Sequence, residues 1–454
     1  MSMSDSSRSC LRTAAERGIA YLDGLNDRAI APTAAALARL EELDHPLSDD
    51  PTPPDDVVRL LDEIGSPATV ASAGGRFFGF VVGASLPAAL GANWLAGAWD
   101  QNSGLVVLSP TVAKLEEVAA GWMIDLFGLP TGTATGFVTS ATAANFSALC
   151  AARHALLARR GWDVEADGLF GAPPIDVVVG DEVHASMLKA LGMSGLGRAR
   201  VTRVPTDRQG RMRADELPRL TDRSLVCVQA GNVNTGSFDP VAEVCARARD
   251  AGAWVHVDAA FGLWAAASPA LRHLVAGVSD ADSWATDAHK WLNVPYDSGV
   301  VFCRDAAALR AAMTSSAAYL VEGDRREPYQ YTPDFSRRGR GVEVWAALRS
   351  LGKRGLADLI ERCCRHARRF ASELGGAGYE ILNDVVLNQV LVSFGDADRT
   401  RRVIAALQAD GTCWCGGTEW QGRTAMRISV SSWATTDEDV EVSLAAMLRV
   451  ASPR

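Results

Sequence analysis

The chain has 454 residues, of which 48% are hydrophobic and 22% are charged, a composition typical of a globular protein. Its formal net charge of −9 argues against a nucleic-acid surface, which needs a basic patch, and predicts solubility. The nine cysteines lack paired zinc-type spacing, so we expect reduced thiols in a cytoplasmic protein and no metal site. Only four of the 45 basic residues are lysines, which leaves few candidates for a covalent role: Lys114, Lys189, Lys290 and Lys353.

The start of the chain and one long uncharged segment bear on targeting and membranes. The first ten residues are polar and rich in serine, without the apolar stretch of a secretory signal. Residues 77–99 carry no charge and are long enough to span a bilayer, but they include Pro87, Asn93 and four glycines. We interpret them as a buried core or interface segment and expect no membrane partner.

Residues 1–62 are predicted to form an N-terminal helical arm. Alanine and leucine recur at helical spacing over residues 33–43, and the prolines of residues 46–54 interrupt that pattern. An arm this short cannot bury a core of its own. We therefore expect it to pack on another part of the protein or on a second subunit.

Residues 63–340 are predicted to form a large α/β domain. Apolar runs alternate there with helical patterns, as in a largely parallel sheet covered by helices. The predicted strands are 175–179, 225–228 and 254–258, with helices at 184–191 and 241–251. Residues 341–454 predict a smaller α+β domain, with helices at 342–351 and 356–374 and strands at 380–382, 389–392 and 426–430.

A lysine in an apolar setting is the strongest local signal. Lys290 follows His289 and precedes Trp291 and Leu292, and a charged amine is costly to keep among such residues. The free amine is the nucleophile that forms a Schiff base, so Lys290 is a candidate for that role. A lysine at a strand end that extends its amine into solvent explains the pattern equally well.

Asp258 ends the predicted strand 254–258 and precedes Lys290 by 32 residues, which is room for one crossover unit. Open α/β sheets bind ligands at the carboxyl ends of their parallel strands. An aspartate in that position is suited to pair with the protonated nitrogen of a pyridine ring. An aspartate that caps the following turn is the alternative interpretation.

Two further features resemble parts of a ligand site. Small and hydroxyl residues at 136–145 open a helix, whose N-terminus offers unpaired N–H groups to an anion. Thr142 also satisfies the preference for an N-cap residue, so an ordinary capped helix is the alternative. His184 follows the predicted strand 175–179, where an imidazole can lie against a flat ring or serve as a hydrogen-bonded core residue.

Together these residues resemble the group II pyridoxal-phosphate decarboxylases, the family of aromatic-amino-acid and glutamate decarboxylases. The resemblance runs from about residue 76 to residue 450, and its four motifs stand in the order of the family. They are Thr139-Ser140-Ala141-Thr142-Ala143-Ala144-Asn145, Val183-His184-Ala185-Ser186, His256-Val257-Asp258-Ala259-Ala260 and Asp287-Ala288-His289-Lys290-Trp291. Where many members have Gly-Thr-Thr, this chain has Gly231-Asn232-Val233-Asn234-Thr235-Gly236.

The resemblance implies an α/β fold of the type I aminotransferase class, an obligate homodimer and pyridoxal 5′-phosphate as cofactor. It implies that Lys290 carries the cofactor as a Schiff base, that Asp258 pairs with the ring nitrogen and that His184 stacks on the ring. It further implies cofactor contacts of Ala141, Thr142, Ala260 and His289. Phe80 falls in a part of the family that lines the substrate pocket, and Arg427 falls where some members hold the substrate carboxylate.

The implied reaction is the decarboxylation of an L-amino acid to an amine. The apolar character of residues 77–82 favours an aromatic or large apolar side chain over an acidic one. Aldehyde-forming decarboxylases, transaminases and other carbon–carbon lyases share the same fold and motifs and remain alternatives. A cofactor-binding protein without turnover is a different class, but such a protein has no chemical need for the lysine.

A polar stretch with two prolines at 323–333 contains Tyr329 and Tyr331. Its composition is typical of a mobile loop that closes over an active site. In similar decarboxylases, a loop tyrosine at about this distance before an Arg-Arg pair protonates the carbanion. Tyr329 aligns slightly better than Tyr331, and two surface tyrosines without a catalytic role are the alternative.

Overall fold

The computed structural model describes residues 5–314 and 325–452. The α-helices are α1 (Asp5–Asp23), α2 (Ala34–Ala38), α3 (Pro54–Leu60), α4 (Ser66–Ala68), α5 (Pro87–Trp99), α6 (Pro110–Phe127), α7 (Ala141–Ala158), α8 (Val164–Asp167), α9 (Ala185–Met193), α10 (Val241–Ala251), α11 (Ala288–Trp291), α12 (Ala306–Met313), α13 (Gly341–Gly376), α14 (Ala397–Asp410) and α15 (Asp437–Ala451). The strands are β1 (Ala134–Val138), β2 (Asp176–Gly180), β3 (Val201–Val204), β4 (Ser224–Gln229), β5 (Trp254–Asp258), β6 (Ser283–Asp287), β7 (Gly299–Cys303), β8 (Glu380–Ile381), β9 (Gln389–Ser393), β10 (Gly416–Trp420) and β11 (Arg423–Ser429).

A seven-stranded sheet lies at the centre of the fold, in the order β1-β7-β6-β5-β4-β2-β3. Strand β7 is antiparallel to both of its neighbours, whereas every other adjacent pair is parallel. The strands are continuous runs of apolar residues because both faces of the sheet are covered by other parts of the chain. Alternate side chains enter two different cores: Val178 and Val226 lie in one, and Val177 and Leu225 lie in the other.

The predicted strands at 175–179, 225–228 and 254–258 correspond to β2, β4 and β5, and the α/β fold class is confirmed. A second sheet of four antiparallel strands, in the order β10-β11-β9-β8, accounts for the strands predicted after residue 380. The two helices predicted at 342–351 and 356–374 are the two parts of α13. They meet at Gly352, whose φ of 60° and ψ of 179° interrupt the helical backbone.

The N-terminal arm packs on itself through few buried groups. Helix α1 contains no buried residue, and Arg17 ties it to Asp62 through an ion pair of 2.6 Å. Leu11 and Ile19 of α1 are exposed, and so are Trp94 and Trp99 of α5. The uncharged segment at 77–99 therefore contributes both core and exposed apolar surface. Among the described residues, no helix has the length and apolar character needed to cross a membrane.

Candidate active site

The predicted site residues gather at one edge of the large sheet. Because β1, β2, β4, β5 and β6 all run in the same direction, their carboxyl ends meet there. His184 follows β2, Asp258 ends β5, and Lys290 lies one turn after β6. The sheet topology thus brings together side chains that are up to 106 residues apart in the sequence.

Lys290 is held by a carboxylate that precedes it by one helical turn. Its Nζ lies 3.2 Å from Oδ2 of Asp287 and 6.0 Å from the centre of the Phe261 ring. The i,i+3 spacing places the lysine and the aspartate on the same side of α11. The surroundings of Lys290 are therefore less apolar than the sequence indicates, because Asp287 compensates the charge of the amine.

Asp258 is buried, and its Oδ1 has no hydrogen-bond partner among the described residues. Burial raises the pKa of its carboxyl, and the nearby His184 and Lys290 act in the opposite direction. An unpartnered buried carboxylate oxygen is costly, so this atom is suited to accept a hydrogen bond from a ligand.

His184 is the N-cap residue of α9. Its Nδ1 accepts a hydrogen bond from the backbone N–H of Ser186 and lies 2.7 Å from the Ser186 hydroxyl. Burial lowers the pKa of the imidazole, while Asp258 opposes that effect and Lys290 adds to it. The ring is therefore neutral near pH 7, with its proton on Nε2, because Nδ1 is the acceptor.

The residues beside Asp258 and Lys290 fix the ends of β5 and β6. His289 lies against the Tyr296 ring at 4.2 Å between centroids, and its Nδ1 donates to the Ser298 carbonyl. Burial lowers the pKa of His289. The Ala260 carbonyl accepts from the backbone N–H of Asp287 at 2.9 Å, which joins the two strand ends.

The N-terminus of α7 faces this cluster. The backbone N–H of Ala141 donates to Oδ1 of Asp287, so the helix end binds a carboxylate. Ser140 is the N-cap residue, with its hydroxyl accepting from the Ala143 N–H. The N-cap interpretation of Thr142 is therefore wrong, because the helix begins one residue before it and Ser140 takes that position.

Arg427 approaches the same cluster from the small sheet. It lies on β11, and its Nη1 donates to Oδ1 of Asn234 at 3.2 Å. Burial lowers the pKa of the guanidinium, and Arg427 in turn contributes to the lowered pKa of His184. A half-buried guanidinium whose hydrogen-bond partner among the described residues is a neutral amide is suited to bind an anionic group.

Phe80 and the two tyrosines make no contact with these groups among the described residues. Phe80 is 62% exposed and stacks on Trp414 at 5.8 Å between ring centroids. Tyr329 and Tyr331 belong to a buried 3-10 helix, so the interpretation as surface residues is wrong. Tyr329 contacts the Phe335 ring at 5.0 Å, and the guanidinium of Arg326 lies 4.4 Å from the centre of the Tyr331 ring.

The described part of the predicted loop is packed rather than open. No recorded contact among the described residues joins either tyrosine to Lys290, Asp258 or His184. The carbonyl of Tyr331 lies against Gly136, so close that a side chain at that position would collide with it. Gly323 and Asp324, which begin the predicted loop, lie outside the described residues.

Comparison with known proteins identifies the family. The model of the pyridoxal-dependent decarboxylase conserved domain matches residues 39–395. This chain belongs to that family. Tryptophan decarboxylase 1 of Oryza sativa subsp. japonica is 27% identical over 399 residues, covering 79% of this chain and 76% of the relative. Acidic amino acid decarboxylase GADL1 of Bos taurus is 28% identical over 353 residues, covering 71% of this chain and 67% of the relative.

A solved structure confirms the fold. The crystal structure of Oryza sativa TDC with PLP and tryptamine has a TM-score of 0.91 to this chain. The match covers 99% of this chain and 98% of that one, at 22% sequence identity. The predicted resemblance, fold class and cofactor are confirmed, and the chain is a pyridoxal-phosphate-dependent amino-acid decarboxylase by family.

The site of this decarboxylase fits pyridoxal 5′-phosphate. The unpartnered Oδ1 of Asp258 suits a protonated ring nitrogen, and Lys290 supplies an amine within the same cluster. The helix end at Ala141 already donates to a carboxylate, an acceptor similar to phosphate. A side chain at Gly299 would lie 2.3 Å from the Ser140 backbone, so only glycine allows β7 to approach this helix end.

Sequence reasoning gave no role to Asp287 or Asn145, although both stand inside the quoted motifs. Asp287 bonds both Lys290 and the N-terminus of α7. The side chain of Asn145 lies beside Asp258 and helps to lower the pKa of that carboxyl. The i,i+3 spacing of Asp287 and Lys290 could have indicated their ion pair from the sequence. No local pattern could have indicated that Asn145 lies beside Asp258, because that contact depends on the fold.

Proposed function

We propose that this protein removes the α-carboxylate of an aromatic or large apolar L-amino acid as carbon dioxide and releases the amine. The observation that carries the proposal is the convergence of Lys290, Asp258, His184 and Arg427 at one sheet edge. There the charges of its neighbours act on the pKa of His184, and His184 and Lys290 act on the pKa of Asp258. Such a cluster of perturbed titratable groups is typical of an active site.

Lys290 is the proposed attachment point of the cofactor. Asp258 pairs with the ring nitrogen, His184 covers one face of the ring, and the α7 end at Ala141 and Thr142 binds the phosphate. Ala260 and His289 border the cofactor from the ends of β5 and β6. When bound, the cofactor supplies an electron sink for the electron pair that decarboxylation leaves behind.

Arg427 is the proposed anchor of the substrate carboxylate. Its side chain is half-buried, and its guanidinium donates to Asn234, which also accepts from the Thr418 hydroxyl at 3.0 Å. A bidentate contact between guanidinium and carboxylate orients the substrate as well as binding it. His184 lies near Arg427, whose charge helps to lower the pKa of the imidazole.

The substrate side chain is proposed to contact an aromatic surface that Phe80 and Trp414 form. Phe77 extends it, with 5.2 Å between its ring centroid and that of Trp414. The named activities of the relatives include both tryptophan and acidic amino-acid decarboxylation. The aromatic surface favours the former class, since aromatic rings stack on one another.

A substrate panel tests this function. Purified holoenzyme is incubated with aromatic, aliphatic and acidic L-amino acids in the absence of keto acids, and carbon dioxide, amine, aldehyde and peroxide are measured. We expect carbon dioxide and amine in equal amounts, fastest with an aromatic substrate. Fastest turnover of an acidic amino acid would overturn the proposed side-chain preference, and absence of carbon dioxide with every substrate would overturn the function.

The proton donor remains a prediction, with Tyr329 as the first candidate and Tyr331 as the second. Both rings are fixed by packing within this chain, on Phe335 and Arg326 respectively. That packing favours aldehyde formation as a second candidate outcome, because neither hydroxyl has a recorded contact at the site. Tyr329→Phe and Tyr331→Phe are compared for amine against aldehyde; parent-rate amine formation by both variants would contradict a tyrosine donor.

We also propose that the protein is a homodimer. Helices α1 and α5 expose large apolar side chains, among them Leu11, Ile19, Trp94 and Trp99, which a second copy would bury. Sedimentation is expected to give a dimer for the parent protein and a monomer for Trp99→Glu. Phe170→Glu is the control, because Phe170 is also an aromatic side chain, is 99% exposed against 40% for Trp99, and lies before β2. An active parent monomer would contradict the dimer.

A cytoplasmic location is the remaining part of the proposal. All nine cysteines are free, and eight of them are buried. Free thiols agree with a reducing compartment.

A further inference from the structure

A chain of buried hydrogen bonds runs behind Asp258 through the sheet. Trp254 Nε1 donates to the Ser283 hydroxyl at 3.0 Å, and that oxygen lies 2.9 Å from Nδ1 of His256. On the other side of the ring, Nε2 of His256 lies 2.9 Å from Oδ1 of Asn145. His256, Asn145 and Ser283 are completely buried, so solvent does not satisfy any of these groups.

The Trp254 end of the chain is compatible with one direction of donation. An indole N–H is only a donor, so the Ser283 oxygen accepts from Trp254 and is free to give its own hydrogen to Nδ1 of His256. Burial lowers the pKa of His256 to about 3, so the ring is neutral and carries a single proton. Because Oδ1 of Asn145 only accepts, that proton is on Nε2, which leaves Nδ1 to accept from the Ser283 hydroxyl.

The opposite end gives the same direction independently. An ionised carboxylate only accepts, so the group that Asn145 presents to Asp258 is its amide nitrogen. Nδ2 of Asn145 has no partner of ordinary hydrogen-bond geometry among the described residues, and neither has Oδ1 of Asp258. The amide nevertheless lies close enough to Asp258 to lower the pKa of its carboxyl.

We infer that Asn145 is a positioning residue for Asp258, and that Trp254, Ser283 and His256 hold its amide so that the nitrogen faces the carboxyl. We call these four residues the relay. The relay favours the ionised form of Asp258 and leaves Oδ1 for the ring nitrogen of the cofactor. This inference rests on the proposed pairing of Asp258 with that nitrogen, but not on the reaction that follows.

The tautomer of His256 tests the direction of the relay in the unmodified protein. Nitrogen NMR of histidine-labelled protein, with and without cofactor, reports which ring nitrogen carries the proton; the signal is assigned by its loss in His256→Gln. We expect neutral His256 with the proton on Nε2 in both samples. A proton on Nδ1 would overturn the relay whatever reaction the protein catalyses.

Substitution of Asn145 tests its effect on Asp258. Asn145→Asp replaces the amide nitrogen with an oxygen that repels the carboxyl of Asp258. The affinity for pyridoxal 5′-phosphate is expected to fall about tenfold or more, which is one pKa unit of lost interaction, and the bound ring nitrogen is expected to lose its proton in nitrogen NMR of labelled cofactor. Parent affinity with a protonated ring nitrogen would contradict the inference.

The matched control is Asn388→Asp, which introduces the same change at another completely buried asparagine. The amide of Asn388 bonds the Val430 carbonyl and the Ser431 hydroxyl, outside the relay. Asn388→Asp is expected to lower thermal stability. The ring nitrogen of the bound cofactor should stay protonated, and the affinity for the cofactor should stay within twofold of that of the parent protein. An equal loss of affinity in both variants would show a general effect of buried charge and would contradict the relay.

His256 supplies a second pair of variants. His256→Gln retains an amide N–H that can donate to Asn145, whereas His256→Leu removes the donor. Cofactor affinity is expected to stay near that of the parent protein for the glutamine variant and to fall severalfold for the leucine variant. Equal affinities of the two variants would contradict the relay. A protein that meets these expectations but releases no carbon dioxide would overturn the proposed function alone.

Discussion

Two buried clusters of charge differ in whether their groups are paired. Arg337 and Glu116 are 1% and 0% exposed, and two parallel hydrogen bonds of 2.7 and 2.8 Å join them. At the sheet edge, by contrast, the described part of the chain gives Oδ1 of Asp258 no hydrogen-bond partner and gives Arg427 an amide but no carboxylate. Both clusters bury charge. The first pairs its two ions completely, whereas the second pairs Lys290 with Asp287 but leaves Oδ1 of Asp258 without a hydrogen-bond partner among the described residues.

The difference shows how a site is recognised from its electrostatics. A buried ion pair is tolerated when good geometry offsets the loss of hydration, as at Arg337 and Glu116. Groups left without such a partner reduce stability unless a ligand completes them. The open cluster is therefore where we propose that a cofactor and a substrate carboxylate bind, whereas the closed one holds α6 to the segment before α13.

Replacing Lys290 is expected to have the largest effect. Lys290→Ala removes the amine of the open cluster, so decarboxylation is expected to fall on the order of 10³-fold or more, with loss of covalently held cofactor. Lys189→Ala, at an exposed lysine of α9, is the control and should keep parent activity. Reductive trapping followed by peptide mass measurement checks the attachment; a label on Lys114, Lys189 or Lys353 would contradict the assignment.

Replacing Arg337 is expected to have the largest effect on stability. Arg337→Met leaves Glu116 buried without a partner, which costs about 3–5 kcal/mol. Arg427→Met removes a guanidinium that no carboxylate compensates, so the free energy of unfolding should change by less than about 1 kcal/mol. Urea unfolding of the apoproteins measures both values. If both variants lost a similar free energy of unfolding, the two clusters would not differ in how their charges are paired.

The same Arg427→Met variant is expected to lose substrate binding. A hydrogen bond to a charged group contributes about 1.5–3 kcal/mol, so KM should rise roughly 10–100-fold. Arg423→Met is the matched control on the same strand, because Arg423 pairs with Glu380 at the surface and should leave KM unchanged. Steady-state kinetics distinguish the two, and an unchanged KM for Arg427→Met would remove it from the substrate site.

The pH dependence of stability gives the smallest expected effect. The pKa of His256 falls from 6.5 to about 3 on burial, so only the unfolded chain gains this proton as the pH falls below 6.5. Between about pH 7 and 5 the parent protein should therefore lose about 2 kcal/mol more than His256→Gln. Asp239, whose pKa burial raises to about 6, acts in the opposite direction but is the same in both proteins.

Urea unfolding of both proteins at the two pH values measures this difference. The comparison uses apoprotein, so that cofactor binding does not contribute to the measured stability. If the two proteins had the same pH dependence, His256 would gain a proton as readily in the folded state as in the unfolded chain. That result would contradict the lowered pKa that burial gives to His256.

Much of the fold was predictable because its signals are local. The strands β2, β4 and β5 are continuous apolar runs, and both parts of α13 have helical spacing around Gly352. The order of the motifs identified the family, which the matched domain of residues 39–395 confirms. Such patterns are readable because each depends on residues within a few positions of one another.

The sequence alone also determined which side chains reach the sheet edge, since Asp258, His184 and Lys290 follow parallel strands that end together. Only the tertiary structure decided what each of them contacts. Asp287 bonds Ala141 across 146 residues, and Arg427 bonds Asn234 across 193. The burial of Tyr329 and Tyr331 likewise depends on distant packing. These contacts come from the strand order and from the docking of the small sheet, and no local pattern encodes either.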